Sequence, residues 1–481
     1  MLPTIALCIW PIVALVLCVA LGPQRGLIWS TVVGYLFLPD GFAVDLPGLP
    51  TYAKFEAVAV GALLGVAATR NRLPPLPPGE PDRLMKFAVL LCLACMVVGP
   101  VLTMMVNTYP VFFGPTMRQG IRYWDAQGQV IATMFMFVPF FLGRRILARP
   151  EMHNEILKAI VLVGLAYTLL VLFERRMSPQ LNNMVYGYFP HAWIQHLRGG
   201  GFRPIVFLDH GLSVGFFLLT AVLAAIALIW EYGKEKRAFY LVSVIWLMLV
   251  LLVSRNLGAV ALALLFVPAA ILFSRRMQLR IAALVALIFF VNPVVRDVYV
   301  EPLLNLTEKI SIDRWGSLKT RFDNETRMME RVNEKPLTGW GGWGRWRVYD
   351  EQGRDITISD GTWIITLGKW GWLGFIGLFG MISAPLWLAL RASKRAPPGA
   401  STAALALMTA ANLIYLIPNS TLTPIAWLAI GALAGFAQFA PAAKAAETED
   451  GPAEEAVADR RPRYSRFGPG AVGDARLTRY R

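Results

Sequence analysis

A chain of 481 residues that is 56% apolar and only 16% charged, with a mean hydropathy of +0.52, lies outside the ordinary soluble class. Its formal net charge of +15 does not mark a nucleic-acid binder. The basic residues gather in short connectors, LGRRILAR (142–149), YGKEKR (232–237), SRRMQLR (274–280) and RASKR (391–395), as the positive-inside rule expects of cytoplasmic loops.

A crossing helix needs about 20 apolar residues. Laid along the chain, that pattern predicts an all-α, polytopic transmembrane bundle of 12–13 spans. They are expected near 4–22, 26–39, 53–69, 84–106, 127–142, 156–173, 205–230, 238–253, 257–273, 280–296, 363–390, 402–417 and 424–440. The second and fifth are short. Residues 1–296 thus form a first transmembrane region of ten spans. Residues 297–361 form one large loop containing short helices, 362–440 return to the membrane, and 441–481 make a polar tail.

Anchoring the basic connectors inside places 70–86, 143–155, 231–237, 274–279, 391–401 and the tail in the cytoplasm. The polar loops 107–126, 174–204 and 297–361 then share the opposite, periplasmic face. Thirteen spans put the N-terminus outside and twelve put it inside. RLPPLPPGEPDR (72–83) reads as an extended Pro-rich linker. The tail is Ala/Glu-rich and then Arg-rich, a composition that buries no core and is expected to be disordered, either solvated or meeting anionic lipid. No Lys or Arg precedes the first apolar run, so no cleaved signal peptide is expected.

The four cysteines, Cys8, Cys18, Cys92 and Cys95, all lie within apolar segments and read as packing residues; Cys92 and Cys95 form a C-x-x-C with no second pair. There is no G-x-x-x-x-G-K-[ST] phosphate loop, no D-x-D, and no H-x-x-x-H among four histidines. Chemistry without a resident cofactor or metal is therefore expected.

Arginine on the non-cytoplasmic side is the positive signal. LRGGGFRPIVFLDHG (197–211) carries Arg198 and Arg203 around three glycines, then Asp209 and His210 at the edge of a span. SRNLG (254–258) places Arg255 at a two-helix turn. The large loop adds Arg314, Arg321, Arg327, Arg331, Arg345 and Arg347. Guanidinium forks grip phosphate oxygens in pairs and stay charged at any relevant pH, so several on one membrane face suit a lipid-linked pyrophosphate. Each could instead anchor at the headgroup level or pair with a carboxylate. GWGGWGRW (339–346) interleaves Trp340, Trp343 and Trp346 with glycine beside Arg345. That reads as a sugar-stacking surface or as an interfacial aromatic belt.

NEKPLTGWGGW (333–343) follows an amphipathic Arg/Glu segment and precedes an acidic-Gly-aromatic helix start and GKWGWLGF (368–375). In this order the motifs resemble the O-antigen ligase/polymerase superfamily, whose large periplasmic loop holds a P-L-x-G-x-G element. LVSRNLGAVALALL (252–265) looks like the family's Ser-Arg-x-x-Gly helix start, and GGGFRPIVFLDHGLSVGFFLL (199–219) like its earlier loop-to-span element. The likeness covers roughly 195–385; the first half matches only in hydropathy.

The resemblance implies a periplasmic glycosyltransferase in a bacterial inner membrane, with an undecaprenyl-pyrophosphate-linked glycan as donor and a sugar hydroxyl of another glycan as acceptor. Flippase and chain-length-regulator proteins are the implied partners. Arg203 and Arg255 correspond to the family's pyrophosphate arginines, with Arg198, Arg321 and Arg331 as further pyrophosphate contacts. Ligases of the family carry a histidine near the end of the large loop. Here Asp360 stands before Gly361 and the loop has no histidine, which favours a polymerase of capsule, exopolysaccharide or O-antigen repeats over a ligase. The R-x10-G pattern of some polymerases occurs as Arg176…Gly187 and Arg331…Gly342, in a region rich in both residues.

On this reading Asp360, Arg255 and Arg203 are the catalytic candidates, with Asp209 and His210 in reserve. An ordinary aspartate, with a pKa of about 3.9, is a weak base at neutral pH, so Asp360 is expected to orient the acceptor hydroxyl more than to strip it. Its alternative role is a helix N-cap before Trp363. A transporter or flippase of lipid-linked sugar is the competing class. It would place ionisable residues at the bilayer midplane on broken helices and show inverted repeats, and the sequence shows neither.

Overall fold

The computed structural model describes residues 1–45, 51–76, 81–191, 193–198, 200–357, 360–420 and 422–449. Of the tail expected to be disordered, 441–481, residues 441–449 instead continue the last helix, which runs to Glu449, and 450–481 lie outside the described residues, as does part of the Pro-rich linker. The chain is a helical bundle with two small hairpins. The first helices are α1 (Leu2–Leu21), α2 (Pro23–Phe37), α3 (Lys54–Ala68) and α4 (Arg83–Met105). A hairpin of β1 (Val111–Phe113) and β2 (Thr116–Arg118) leads to α5 (Tyr123–Ile146), α6 (Pro150–Met177) and the short α7 (Leu181–Tyr186). A second hairpin, β3 (Leu197–Arg198) and β4 (Gly201–Phe202), leads to α8 (Gly211–Glu231), α9 (Lys234–Val253) and α10 (Leu257–Leu272). The chain continues as α11 (Arg275–Ile310), α12 (Ile312–Asn333), α13 (Thr362–Ala392), α14 (Ala400–Tyr415) and α15 (Pro424–Glu449).

All thirteen expected spans coincide with helices. Eight, α1, α4, α5, α6, α8, α9, α11 and α13, are long and apolar enough to cross a membrane, and α10, α14 and α15 add shorter apolar stretches. The protein is a multi-pass membrane protein. The outward face of α1 shows why: Ile5, Ile9, Ile12, Val16 and Val19 are exposed on one side, while Leu7, Trp10, Ala14 and Cys18 are buried on the other. Water would not tolerate that apolar stripe, and hydrocarbon does. By contrast, α8 is apolar all round and buried among α6, α9, α10 and α14. Where α5 meets α15 the backbones nearly touch: a side chain at Gly431 would lie 2.2 Å from the carbonyl oxygen of Phe140. Small residues permit such crossings.

Several elements differ from expectation. The seventh span begins at Gly211 rather than 205. The buried Glu174 of α6 accepts from the N–H groups of Ile205 (2.8 Å) and Val206 (2.7 Å), holding residues 205–210 out of helix with Val206 at a φ of 54°. The tenth span does not stop at 296, since α11 runs on to Ile310. Nor is the large loop built of short helices, because α12 is 22 residues long and packs against the protruding end of α11. Buried Arg296 fastens that pair. It donates to Asp297 (3.0 Å), to Thr326 Oγ1 (3.2 Å) and to the Phe322 carbonyl (3.2 Å), with Glu325 at 3.5 Å.

Candidate functional site

At one end of the bundle lies an open cavity of about 880 Å³. Arg203, Asp209 and His210 from the approach to α8, Arg255 from the α9–α10 turn, Arg321 of α12 and Asp360 before α13 all line it. Six residues expected from distant stretches of sequence are thus brought together.

The turn that presents Arg255 is built for it. Arg255 takes a left-handed φ of 59°, unusual for a residue with a side chain and costing about 1–2 kcal/mol. Next to it, Asn256 caps α10 by accepting from the Ala259 N–H (3.1 Å) and donates to the Leu212 carbonyl and the Tyr415 hydroxyl, each at 2.9 Å. That side chain locks the turn onto α8 and α14. Arg203 donates to the main-chain carbonyl of Arg255 (3.4 Å), its stem lying against Gly211 where a side chain would come within 2.4 Å of Cγ and Cδ.

One guanidinium was missed in the sequence. Arg175, at the end of α6, donates to the Val253 carbonyl (3.2 Å) beside this turn. A side chain at Gly201 would lie 2.7 Å from Arg175 Nη1 and 2.9 Å from Arg255 Cζ. The glycine run therefore makes room for two cations as well as freeing the backbone. Two guanidinium groups this close repel one another, and an anionic group set between them would lower that cost.

The carboxylates differ in setting. Asp360 is exposed, and α13 is capped at Gly361 with no side-chain bond, so Asp360 does not serve as the N-cap. Asp209 accepts from Ser213 Oγ (2.6 Å). Its pKa is raised, first by desolvation and then by Asp40, against the lowering effects of Ser213 and Lys54. Lys54 is itself buried, paired with Asp40 (2.9 Å) and donating to the Phe207 carbonyl (2.6 Å). Asp40, Lys54 and Glu174 carry no motif; only their partners in the fold reveal that they shape the wall behind the cavity.

Histidine is also present where spacing gave no sign of it. His191, His196 and His210 present ring nitrogens all within 4.8 Å of one another. Three of the chain's four histidines fall within twenty residues, and that clustering was the available signal.

Several expected site residues are elsewhere. Trp340 and Trp346 are buried and cannot stack on a sugar. Trp340 Nε1 donates to the Arg331 carbonyl (2.8 Å), and the Arg331 guanidinium lies 3.3 Å from the centre of the Trp340 ring. Arg331 also pairs with Glu334 (2.5 Å) and does not line the cavity. Arg345 is 1% exposed, with its donors taken by the carbonyls of Trp340, Tyr109 and Gln119 and by Asn107 Oδ1. It clamps the loop to the β1–β2 hairpin rather than meeting glycan. Trp343 is 64% exposed but lies outside the cavity, donating to Asp125 (3.1 Å). The side chains of Arg198 and Arg314 fall outside the described residues.

The reason is that P-L-T-G-W-G-G plugs a break in α13. Gly371 leaves helical geometry there with a φ of 59°. The Trp372 N–H then bonds the Pro336 carbonyl (2.8 Å), while Trp340 and Gly341 donate to the carbonyls of Gly368 and Lys369, both at 2.9 Å. A side chain at Gly339 would lie 2.6 Å from the Lys369 backbone. These glycines admit α13, not a ligand. Among the described residues, the broken segment of α13 is not part of the cavity wall.

No family model and no curated protein matches the chain.

Proposed function

We propose that this chain is an inner-membrane glycosyltransferase that polymerises undecaprenyl-pyrophosphate-linked oligosaccharide repeat units at the periplasmic face. One observation carries the reading: Arg203, Arg255 and Arg321 converge with Asp360 on a single open cavity at one end of a membrane bundle. A cavity of this volume accepts a pyrophosphate with its adjoining sugars, and the surrounding bundle supplies lipid access for the carrier.

In the proposed step the acceptor hydroxyl oxygen attacks the anomeric carbon of the donor, whose bond to the pyrophosphate oxygen breaks. The leaving pyrophosphate stays on its lipid. Arg203, Arg255 and Arg321 meet the charge it gains, each well-placed donor contributing about 3 kcal/mol by analogy with oxyanion sites. The hydroxyl proton passes to a group on the cavity wall. Asp360 is placed to orient the hydroxyl, while the raised pKa of Asp209 makes it the better proton carrier. No nucleotide is required, because the donor arrives activated.

A ligase, transferring finished glycan to another acceptor, is the second reading. It gains from His191 and His210, which bring to the cavity the imidazole that the large loop lacks. Asp360→Asn and Arg255→Ala, checked for membrane insertion and assayed for polymer chain length, test the proposal; full-length polymer from both would remove it. Single repeats left on the lipid carrier after gene deletion indicate a polymerase, and long unattached chains a ligase.

A further inference from the structure

We propose that His191, His196 and His210 form a three-imidazole site for a divalent first-row transition ion, best suited to Zn²⁺, with its open side toward the arginine-lined cavity. The inference stands apart from the glycosyl-transfer reading and holds whatever anion the arginines bind.

Three separate pieces of backbone converge to make the cluster. His191 follows α7, His196 closes a 3-10 turn (Trp193–His196), and His210 begins α8. Ring centres lie 4.9 Å apart for His191 and His210, 5.0 Å for His196 and His210, and 5.4 Å for His191 and His196. Tetrahedral zinc, with bonds of about 2.0–2.1 Å to nitrogen, needs donor atoms about 3.3 Å apart. Nitrogens already within 4.8 Å reach that spacing through small side-chain rotations. Because the fold already holds the three imidazole rings together, little ordering remains to be done on binding.

The cluster also has an inside and an outside. His196 is fully buried, and its carbonyl accepts from the Arg203 N–H (2.8 Å), so its backbone is fixed next to the arginine segment. His191 and His210 line the cavity. An ion held by the three would therefore be backed by protein and open on the cavity side, the arrangement of a site that keeps one position for water or an anionic oxygen. Arg203, Arg255 and Arg321 share this cavity and disfavour a bare cation, whereas Asp209 and Asp360 on the same walls favour it. His210 Nδ1 accepts from the Leu212 N–H (3.0 Å), and the ring gives up that cap bond when it ligates.

The test uses the full chain in detergent, purified without a polyhistidine tag, stripped with chelator and titrated with Co²⁺. The expected result is one equivalent bound, with the strong visible absorption of low-coordinate Co²⁺, displaced by Zn²⁺. His191→Gln, on the cavity wall, and His210→Gln each weaken binding by at least about tenfold, since a lost ligand costs no less than a lost outer-shell partner. Cys92→Ala leaves binding unchanged, separating this site from the C-x-x-C. Circular dichroism and gel filtration confirm that each variant is folded. Wild-type protein that shows no such absorption, or folded His191→Gln and His210→Gln proteins that bind as tightly as wild type, would overturn the proposal.

Discussion

Arg203 Nη2 donates to the main-chain carbonyl of Arg255 across 3.4 Å, so two residues from different segments hold one another at the mouth of the same cavity. The left-handed turn at Arg255 aims that carbonyl, and Gly211 leaves space for the Arg203 stem. The placement of the two guanidinium groups and the local backbone geometry are coupled at this point.

That coupling separates two substitutions at one position. Arg255→Gly removes the cation and relieves the left-handed strain, whereas Arg255→Ala removes the cation and keeps the strain. The glycine variant is expected to be more stable than the alanine variant by about 1 kcal/mol. Under the proposed function both are expected to lose donor binding. Thermal unfolding in detergent beside a transfer assay reads the two effects separately, and equal stabilities would contradict the strained turn.

Gly201→Ala places a methyl group against the flexible ends of Arg175 and Arg255 rather than against backbone. Stability is expected to change by less than about 1 kcal/mol, since the guanidinium ends can move aside. Transfer is expected to fall about tenfold, corresponding to 1.4 kcal/mol of lost transition-state stabilisation. An unaltered transfer rate would show that the two cations do not act together.

The tryptophans of the large loop are expected to divide by burial. Trp340→Ala empties a packed position beside Arg331 and the α13 break, and costs about 3–5 kcal/mol of stability. Trp343→Ala, at an exposed position, changes stability by less than about 0.5 kcal/mol. Unfolding curves of the two proteins check this, and equal destabilisation would remove the plug interpretation.

Glu325 sets a pH dependence in the loop. Desolvation pushes its carboxyl from the ordinary 4.5 up to about 7, outweighing the lowering effect of Arg296 and Arg321. The folded state thus keeps the proton after the unfolded chain has lost it. The associated stability is fully present below pH 4.5, falls as pH rises to about 7, and levels off above that. Glu325→Gln is expected to flatten this fall when melting temperature is followed from pH 4.5 to 8. A variant with the same slope as wild type would place the titration elsewhere.

Periodicity and charge placement made the spans legible, because the bilayer imposes a length and a composition that short-range pattern can meet. They also made Arg203, Arg255 and Asp360 legible as members of one face. The diversion of residues 205–210 was not, since its cause is Glu174 on another helix. Trp340, Trp346 and Arg345 misled for a physical reason. Aromatic and guanidinium groups beside glycine serve a ligand or a tight internal packing equally well, and here the partner is the break in α13. The histidine cluster was hidden because its spacing follows no single helix or turn.

On the proposed function, the arginines of the cavity hold a pyrophosphate-bearing lipid. Binding of undecaprenyl pyrophosphate to purified protein in detergent, compared between wild type and an Arg203→Ala/Arg255→Ala/Arg321→Ala variant, tests it most directly. Saturable wild-type binding that weakens steeply with salt is expected, with a loss of at least about a hundredfold in the variant at low salt, a modest share of three charge-assisted contacts. Equal affinity in a folded variant would contradict it.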